Sequence, residues 1–161
     1  MDVIEAIIEI PVGTRNKYEV DKEHDKVKLN RVLASAMTYP AEYGYIDNTL
    51  ANDGDPLDIL VISSEATFPG CIVPARVIGC LEMLDNGKED FKIISVVDVD
   101  PRYNEIKSLE DLSEFTLNEI KNFFENYKTL EGISVVVKDY HDKDAALAVI
   151  EDSKRNYYET K

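Results

Sequence analysis

The run Asp53-Gly54-Asp55-Pro56-Leu57-Asp58 places three carboxylates within six residues. Held this close, they repel one another and raise each other's pKa values unless a cation sits among them. A hard divalent ion bound through oxygen is one outcome. The other is a solvated acidic turn, the common fate of short Asp and Gly runs. On its own the run fits either. A calcium loop of the helix-loop-helix kind fails on spacing: with Asp53 as first ligand, Leu57 falls at the fifth position, Asp58 at the glycine position and Ser64 where the bidentate glutamate belongs.

A second carboxylate pair changes the balance. Asp85 and Asp90 flank Asn86-Gly87, and Asn-Gly between apolar runs is the strongest short-range hairpin signal. The two aspartates are expected to face each other on the arms of one hairpin, near a single ion. Lys92, two residues beyond Asp90, projects from the same face of a strand. Taken alone this is an ordinary exposed turn; together the two clusters point to a metal site. A third set is cationic and phenolic: Lys17, Arg31, Tyr39, Tyr43, Tyr127 and Lys128. Each has an ordinary reading as a solvated cation or a core aromatic with a wet hydroxyl. Yet Arg forks and Tyr hydroxyls are what grips phosphate oxygens, and basic groups are scarce here, with 18 Lys and Arg against 32 Asp and Glu.

The resulting net charge of -14 repels nucleic acid and anionic membrane surfaces. A small anion binds only where metal ions or clustered basic groups reverse the local field. No apolar run approaches the roughly 18 residues of a spanning helix, and the N-terminus lacks the order of a signal peptide, so a cytoplasmic protein is expected. The 161 residues suit one domain, 1–161, able to bury a core without disulfide or metal staples. Cys71 and Cys80 would lie on opposite faces of an extended stretch and are read as buried free thiols. His24 and His141, among charged residues in expected turns, are read as solvated and outside the site.

The positioning elements follow from periodicity. Residues 3–10 read as a strand, 16–20 and 26–29 as a hairpin with Lys17 and Glu19 on one face, and 35–56 as irregular structure. Strands are expected at 59–63, 71–84 (bent near Pro74 or Gly79) and 91–97. Thr116 with Glu119 forms a capping box, opening a helix on which Leu117, Ile120, Phe123, Phe124 and Tyr127 share one face. A buried strand at 133–137 precedes a last helix capped by Asp142 and running through Ala145 to about Tyr157. Without repeats or linkers, this is an α+β pattern: a small twisted barrel or sheet packed by helices.

With those residues in place, the chain resembles the soluble family I inorganic pyrophosphatases of prokaryotic type. The run from Asp53 to Ile59 matches their signature. So do, in order, Ile8-Glu9-Ile10-Pro11, Lys17-Tyr18-Glu19, Arg31, Tyr39-Pro40, Tyr43-Gly44-Tyr45, Asp85, Asp90, Lys92 and Phe123-Phe124-Glu125-Asn126-Tyr127-Lys128. The resemblance implies a distorted five-stranded OB-like β-barrel with flanking helices, the two main helices in the C-terminal third. It implies hydrolysis of pyrophosphate to two orthophosphates with several Mg²⁺ ions per site. By the same resemblance Asp53, Asp58, Asp85 and Asp90 ligate metal, with Asp58 bridging two ions. Asp55 is the general base on a metal-activated water. Lys17, Arg31, Tyr43, Tyr127 and Lys128 hold the phosphates, while Glu9, Glu19, Tyr39 and Lys92 support them from outside. A homohexamer is implied as well, although Asn122 and Asn126 stand where some hexameric bacterial relatives carry His, leaving a His-dependent contact without its imidazoles. Such chemistry needs this set, since a water attacking a polyanion must lose its proton near neutral pH and approach against repulsion. Two rivals fit less well. A non-catalytic metal module leaves Lys17, Arg31, Tyr43 and Tyr127 unexplained, and an oligonucleotide-binding module needs a basic groove that the charge balance opposes.

Overall fold

The computed structural model describes residues 2–160. In chain order these form β1 (Val3–Ile10), β2 (Asn16–Asp21), β3 (Lys26–Val32), β4 (Glu42–Ile46), β5 (Leu57–Ile62), β6 (Ile72–Asp85), β7 (Lys88–Val97), α1 (Glu114–Asn126), β8 (Val135–His141) and α2 (Lys143–Thr160). Strands bond in the order β1-β4-β5-β7-β6, and β1 also pairs with β6, so five strands close into a ring; β8 adds to β6, while β2 and β3 make a separate hairpin. The class is the expected α+β, with both helices late in the chain. No described helix is long and apolar enough to cross a membrane.

Alternation along the strands builds two apolar clusters. All five ring strands supply one, through Ala6, Ile8, Ile46, Ile59, Ala75 and Ile93 among others, and Ala146 and Ile150 of α2 complete it. The opposite strand faces supply the other, where Tyr43, Leu60, Leu81, Met83 and Ile94 meet Ile120, Phe123 and Phe124 of α1.

Several expectations are corrected. The stretch 35–56 contains β4, all five of whose residues are buried. Alternation vanishes there because both faces are covered, even at Glu42, whose carboxylate accepts the Val12 N–H and both the N–H and hydroxyl of Thr67. Gly44 is bare because β1 runs against it: a Cβ would lie 1.9 Å from the Ile7 carbonyl oxygen. The irregularity in β6 does fall at Gly79, one of the two expected places, as a register shift between Val77 and Gly79. Helix α1 begins one turn before the Thr116–Glu119 box, at Ser113, whose Oγ accepts the Thr116 N–H at 3.1 Å. Asp142 caps α2 as expected, accepting from Ala145 N–H at 3.0 Å. Strand β8 starts later than expected and is not buried, since it pairs with β6 alone and alternates half-buried with exposed residues.

His24 is exposed in the β2–β3 turn, as read, and contacts Asp21. His141 instead ends β8 opposite Cys80, its ring 2.9 Å from Glu82. Both cysteines are free; Cys80 is buried and Cys71 half-buried. Burial, then the charges of Glu82 and Asp142, push the Cys80 thiol up to about 11, which leaves it protonated and unreactive.

Candidate active site

The strand face that packs on α1 turns polar at one end. Alternation puts Asp58 beside Leu60 on β5, Asp90 and Lys92 beside Ile94 on β7, and Asp85 beside Met83 on β6. Pairing of β5 with β7 sets Asp58 next to Lys92, and pairing of β4 with β5 sets Tyr45 next to Asp58. The β6–β7 hairpin has the two-residue Asn86-Gly87 loop, with φ of 53° and 84°; both being positive defines a type I′ turn. That loop sets the register. Asp85 pairs with Lys88 and Asp90 with Met83, so the two aspartates share a face two positions apart, rather than opposing each other as expected.

At the centre sits Lys92, 3% exposed. Its ammonium donates to Asp58 Oδ2 at 2.6 Å and Tyr43 hydroxyl at 2.8 Å, and lies 2.9 Å from Asp90 Oδ2. It also lies over the rings of Tyr43 and Phe124. Burial alone would pull its pKa down, but the charges of Asp58 and Asp90 and the Tyr43 oxygen outweigh that and hold it well above the usual range. Burial raises the pKa of Asp90 despite the attraction of Lys92, and pushes the Tyr43, Tyr39 and Tyr127 phenols up. An aromatic cluster fixes this floor: Tyr39 meets Phe123 at 4.8 Å between ring centroids, and Tyr127 meets Phe123 at 5.0 Å and Phe124 at 5.4 Å.

The walls come from elsewhere in the chain. Lys128, just past α1, donates to Asp85 Oδ2 at 2.8 Å. Asp53 and Asp55 lie on the exposed loop before β5, where the Asp55 N–H donates to Asp53 Oδ1 at 3.0 Å. Partial removal from water, then the charges of Asp53 and Asp58, raise the Asp55 pKa. Lys17 and Glu19 project from β2. Burial, then repulsion from Arg31 and Lys128, lowers the Lys17 pKa. Glu9 accepts the Val20 N–H at 2.9 Å, and burial raises its pKa.

One cleft of about 460 Å³ is lined by Glu9, Lys17, Glu19, Tyr39, Tyr43, Asp53, Asp55, Asp58, Asp85, Asp90, Lys92, Tyr127 and Lys128. Among the residues singled out in the sequence, Arg31 alone is not in this lining; it pairs with Glu131 at 3.1 Å. Sequence reasoning gave no role to Tyr18, Lys22 and Tyr45, which also line the cleft. For Tyr45 the signal was available, two residues after Tyr43 and so on the same strand face.

The donor set suits a hard cation. Asp53, Asp58, Asp85 and Asp90 offer carboxylate oxygens only, with neither thiol nor imidazole, which is the chemistry Mg²⁺ accepts. Among the described residues, the one grouping of three ligand atoms within 4.8 Å is elsewhere, at Asp21, Glu23 and His24 of the hairpin turn. In the cleft the carboxylates are spread around the ammonium groups of Lys92 and Lys128. Acidic oxygens for cations, with ammonium and phenol groups beside them, allow hydrolytic chemistry on a phosphorylated anion.

Comparison with known proteins agrees. The family profile described as "Inorganic pyrophosphatase" matches residues 6–158. An inorganic pyrophosphatase of Halalkalibacterium halodurans is 56% identical over 155 residues, covering 96% of this chain and 95% of that protein. One of Geobacillus stearothermophilus is 53% identical, covering 99% and 96%. The crystal structure of an inorganic pyrophosphatase from Thermus thermophilus superposes with a TM-score of 0.94 at 42% identity, over 98% of this chain and 92% of that one.

Proposed function

The chain belongs to the inorganic pyrophosphatase family, and we propose that it hydrolyses pyrophosphate to two orthophosphates by direct attack of water, with Asp55 as general base and Mg²⁺ as cofactor. The observation that carries this is the single cleft in which Asp53, Asp55, Asp58, Asp85 and Asp90 meet Lys17, Lys92, Lys128, Tyr43 and Tyr127.

Asp53, Asp58, Asp85 and Asp90 would hold the metal, with Glu9 and Glu19 lining the same cleft. When bound, Mg²⁺ lowers the pKa of water and offsets the charge of the phosphates. The protein's own groups do the rest. Asp55 is exposed toward the cleft and its raised pKa suits it to receive a proton. Lys128 and Lys17 are the cations set to counter phosphate charge; burial and then repulsion from Arg31 and Lys128 lower the Lys17 pKa, and a bound anion would offset that repulsion. The hydroxyls of Tyr43 and Tyr127, kept protonated by burial, are donors for phosphate oxygens, and Tyr39 and Lys92 hold Tyr43 in place. Arg31, outside the cleft lining but paired across from Lys17, would add the planar fork.

Phosphate release from pyrophosphate by the purified protein, with Mg²⁺ and then with chelator, tests the reading. Turnover that needs Mg²⁺ is expected, and no release in the presence of Mg²⁺ refutes it. A cytoplasmic homohexamer is the matching assembly; it rests on resemblance to prokaryotic relatives, and light scattering checks its size. On α1 the Asn126 amide donates to Asn122 Oδ1 at 2.9 Å, so these side chains are tied to each other on an exposed helix face.

A further inference from the structure

Arg31 stands directly opposite Lys17 in the β2–β3 pairing, which sets the Cβ atoms of two cationic side chains about 5 Å apart on one face. Such a pair is held only if anions balance it. Glu131 supplies one charge: its Oε1 lies 3.1 Å from Arg31 Nη2. Glu131 ends a 3-10 turn, Thr129–Glu131, that follows Tyr127 and Lys128 immediately. One short segment therefore carries a cleft phenol, the ammonium that holds Asp85, and the carboxylate that holds Arg31.

The Arg31–Glu131 contact is incomplete. Arg31 Nε and Glu131 Oε2 are both buried with no hydrogen-bond partner, and Arg31 Nη1 only reaches Asn30 Oδ1 at 3.3 Å. Buried donors and acceptors without partners are rare in native structures and need a reason. A two-point fork would satisfy both atoms at once. It would also use the donor nearest the backbone of Arg31.

We propose that Glu131 is a positioning residue for Arg31: it fixes the guanidinium beside Lys17 through Nη2 and leaves Nη1, on the exposed part of the fork, to a phosphate oxygen of pyrophosphate. The inference rests on the reading that the cleft binds pyrophosphate and that Arg31 grips it. A long, flexible side chain that is already oriented loses less freedom when the anion arrives. Glu131 acts through Arg31 and touches no substrate atom.

Glu131→Ala should raise the KM for pyrophosphate about tenfold, the factor that immobilising one rotamer-rich side chain carries, with kcat within about twofold. Glu131→Gln keeps an acceptor for Nη2 without its charge and should recover part of the loss. Arg31→Ala should raise KM at least as much, and adding Glu131→Ala to it should change nothing further. Thermal melts check that each variant folds; if Glu131→Ala does not, the same cycle is run with Glu131→Gln. If Arg31→Ala leaves KM unchanged, the phosphate grip and the positioning role both fall. If it raises KM but the Glu131 variants do not, or their effect persists in the Arg31→Ala background, the grip stands and the positioning role is refuted.

Discussion

Lys92→Met isolates the charge at the centre of the cleft. Methionine is unbranched and of similar length, so packing against Tyr43 and Phe124 is largely kept while the ammonium is lost. Removing one partner of a buried ion pair costs about 3–5 kcal/mol, because the remaining charge is left without compensation. Here the orphans are Asp90, 8% exposed, and Asp58, whose side chain is 25% exposed and keeps some water. The penalty therefore falls mainly on Asp90, and about 3 kcal/mol is expected for metal-free protein at neutral pH. For a chain of this size that is a fall of roughly 6–12 °C in Tm. Mg²⁺ held by the same carboxylates would restore their counter-charge, so in its presence the deficit should shrink to about 1 kcal/mol. The pH sign follows from Asp90, whose pKa is raised by burial and lowered by Lys92. Without Lys92 it rises further. A carboxyl with a raised folded pKa favours the folded state below its unfolded pKa and loses that advantage as pH rises through the folded pKa. The variant's deficit should thus grow from mildly acidic to neutral pH. Urea unfolding of both proteins at matched concentration, in chelator and in Mg²⁺, measures all of this. A deficit below about 1 kcal/mol in chelator, or one equal in chelator and Mg²⁺, refutes the assignment of Lys92 as the counter-ion of Asp58 and Asp90.

Asp55→Asn should lower kcat by roughly 10²- to 10⁴-fold while calorimetric Mg²⁺ affinity stays within a few-fold; near-normal turnover removes Asp55 from the base role. Arg31→Lys keeps the charge but not the fork, and one ammonium cannot serve Glu131 and a phosphate oxygen in the same geometry, so KM for pyrophosphate should rise of order tenfold by steady-state kinetics. Gly44→Ala drives a Cβ into the Ile7 carbonyl. It should cost about 3 kcal/mol or more in urea unfolding, and lower activity too, because Tyr43 and Tyr45 flank it.

The legible parts of this molecule were local. The hairpin at Asn86-Gly87, the Asp142 cap and the apolar face of α1 each depend on residues a few positions apart, and each stands as read. Strand β4 was hidden because burial on both faces erases alternation, and because the partners that make Glu42 tolerable inside, Val12 and Thr67, lie 30 and 25 residues away. The carboxylates themselves could be picked out, but not their partners. Nothing in the spacing of Asp58 and Lys92 announces a parallel β5–β7 register, and nothing in the neighbourhood of Arg31 announces Glu131.

Those partners explain how so acidic a chain can receive a polyanion. Lys92 is bound to Asp58 and Asp90, Lys128 to Asp85, and Arg31 to Glu131. In this arrangement the cleft's seven carboxylates outnumber its four lysines, and the paired ammonium groups have no net attraction to spare for a phosphate. A divalent cation taken up by Asp58, Asp85 and Asp90 would compete with the ammonium groups for the same oxygens. The attraction that Lys92 and Lys128 now give to carboxylates would then be available to phosphate oxygens. Metal and substrate binding would then be coupled through shared partners, and by linkage each would tighten the other by the same factor. On that reading the carboxylate–ammonium pairs are more than ballast for buried charge: they would hold the ammonium groups in place until a metal takes over their carboxylates.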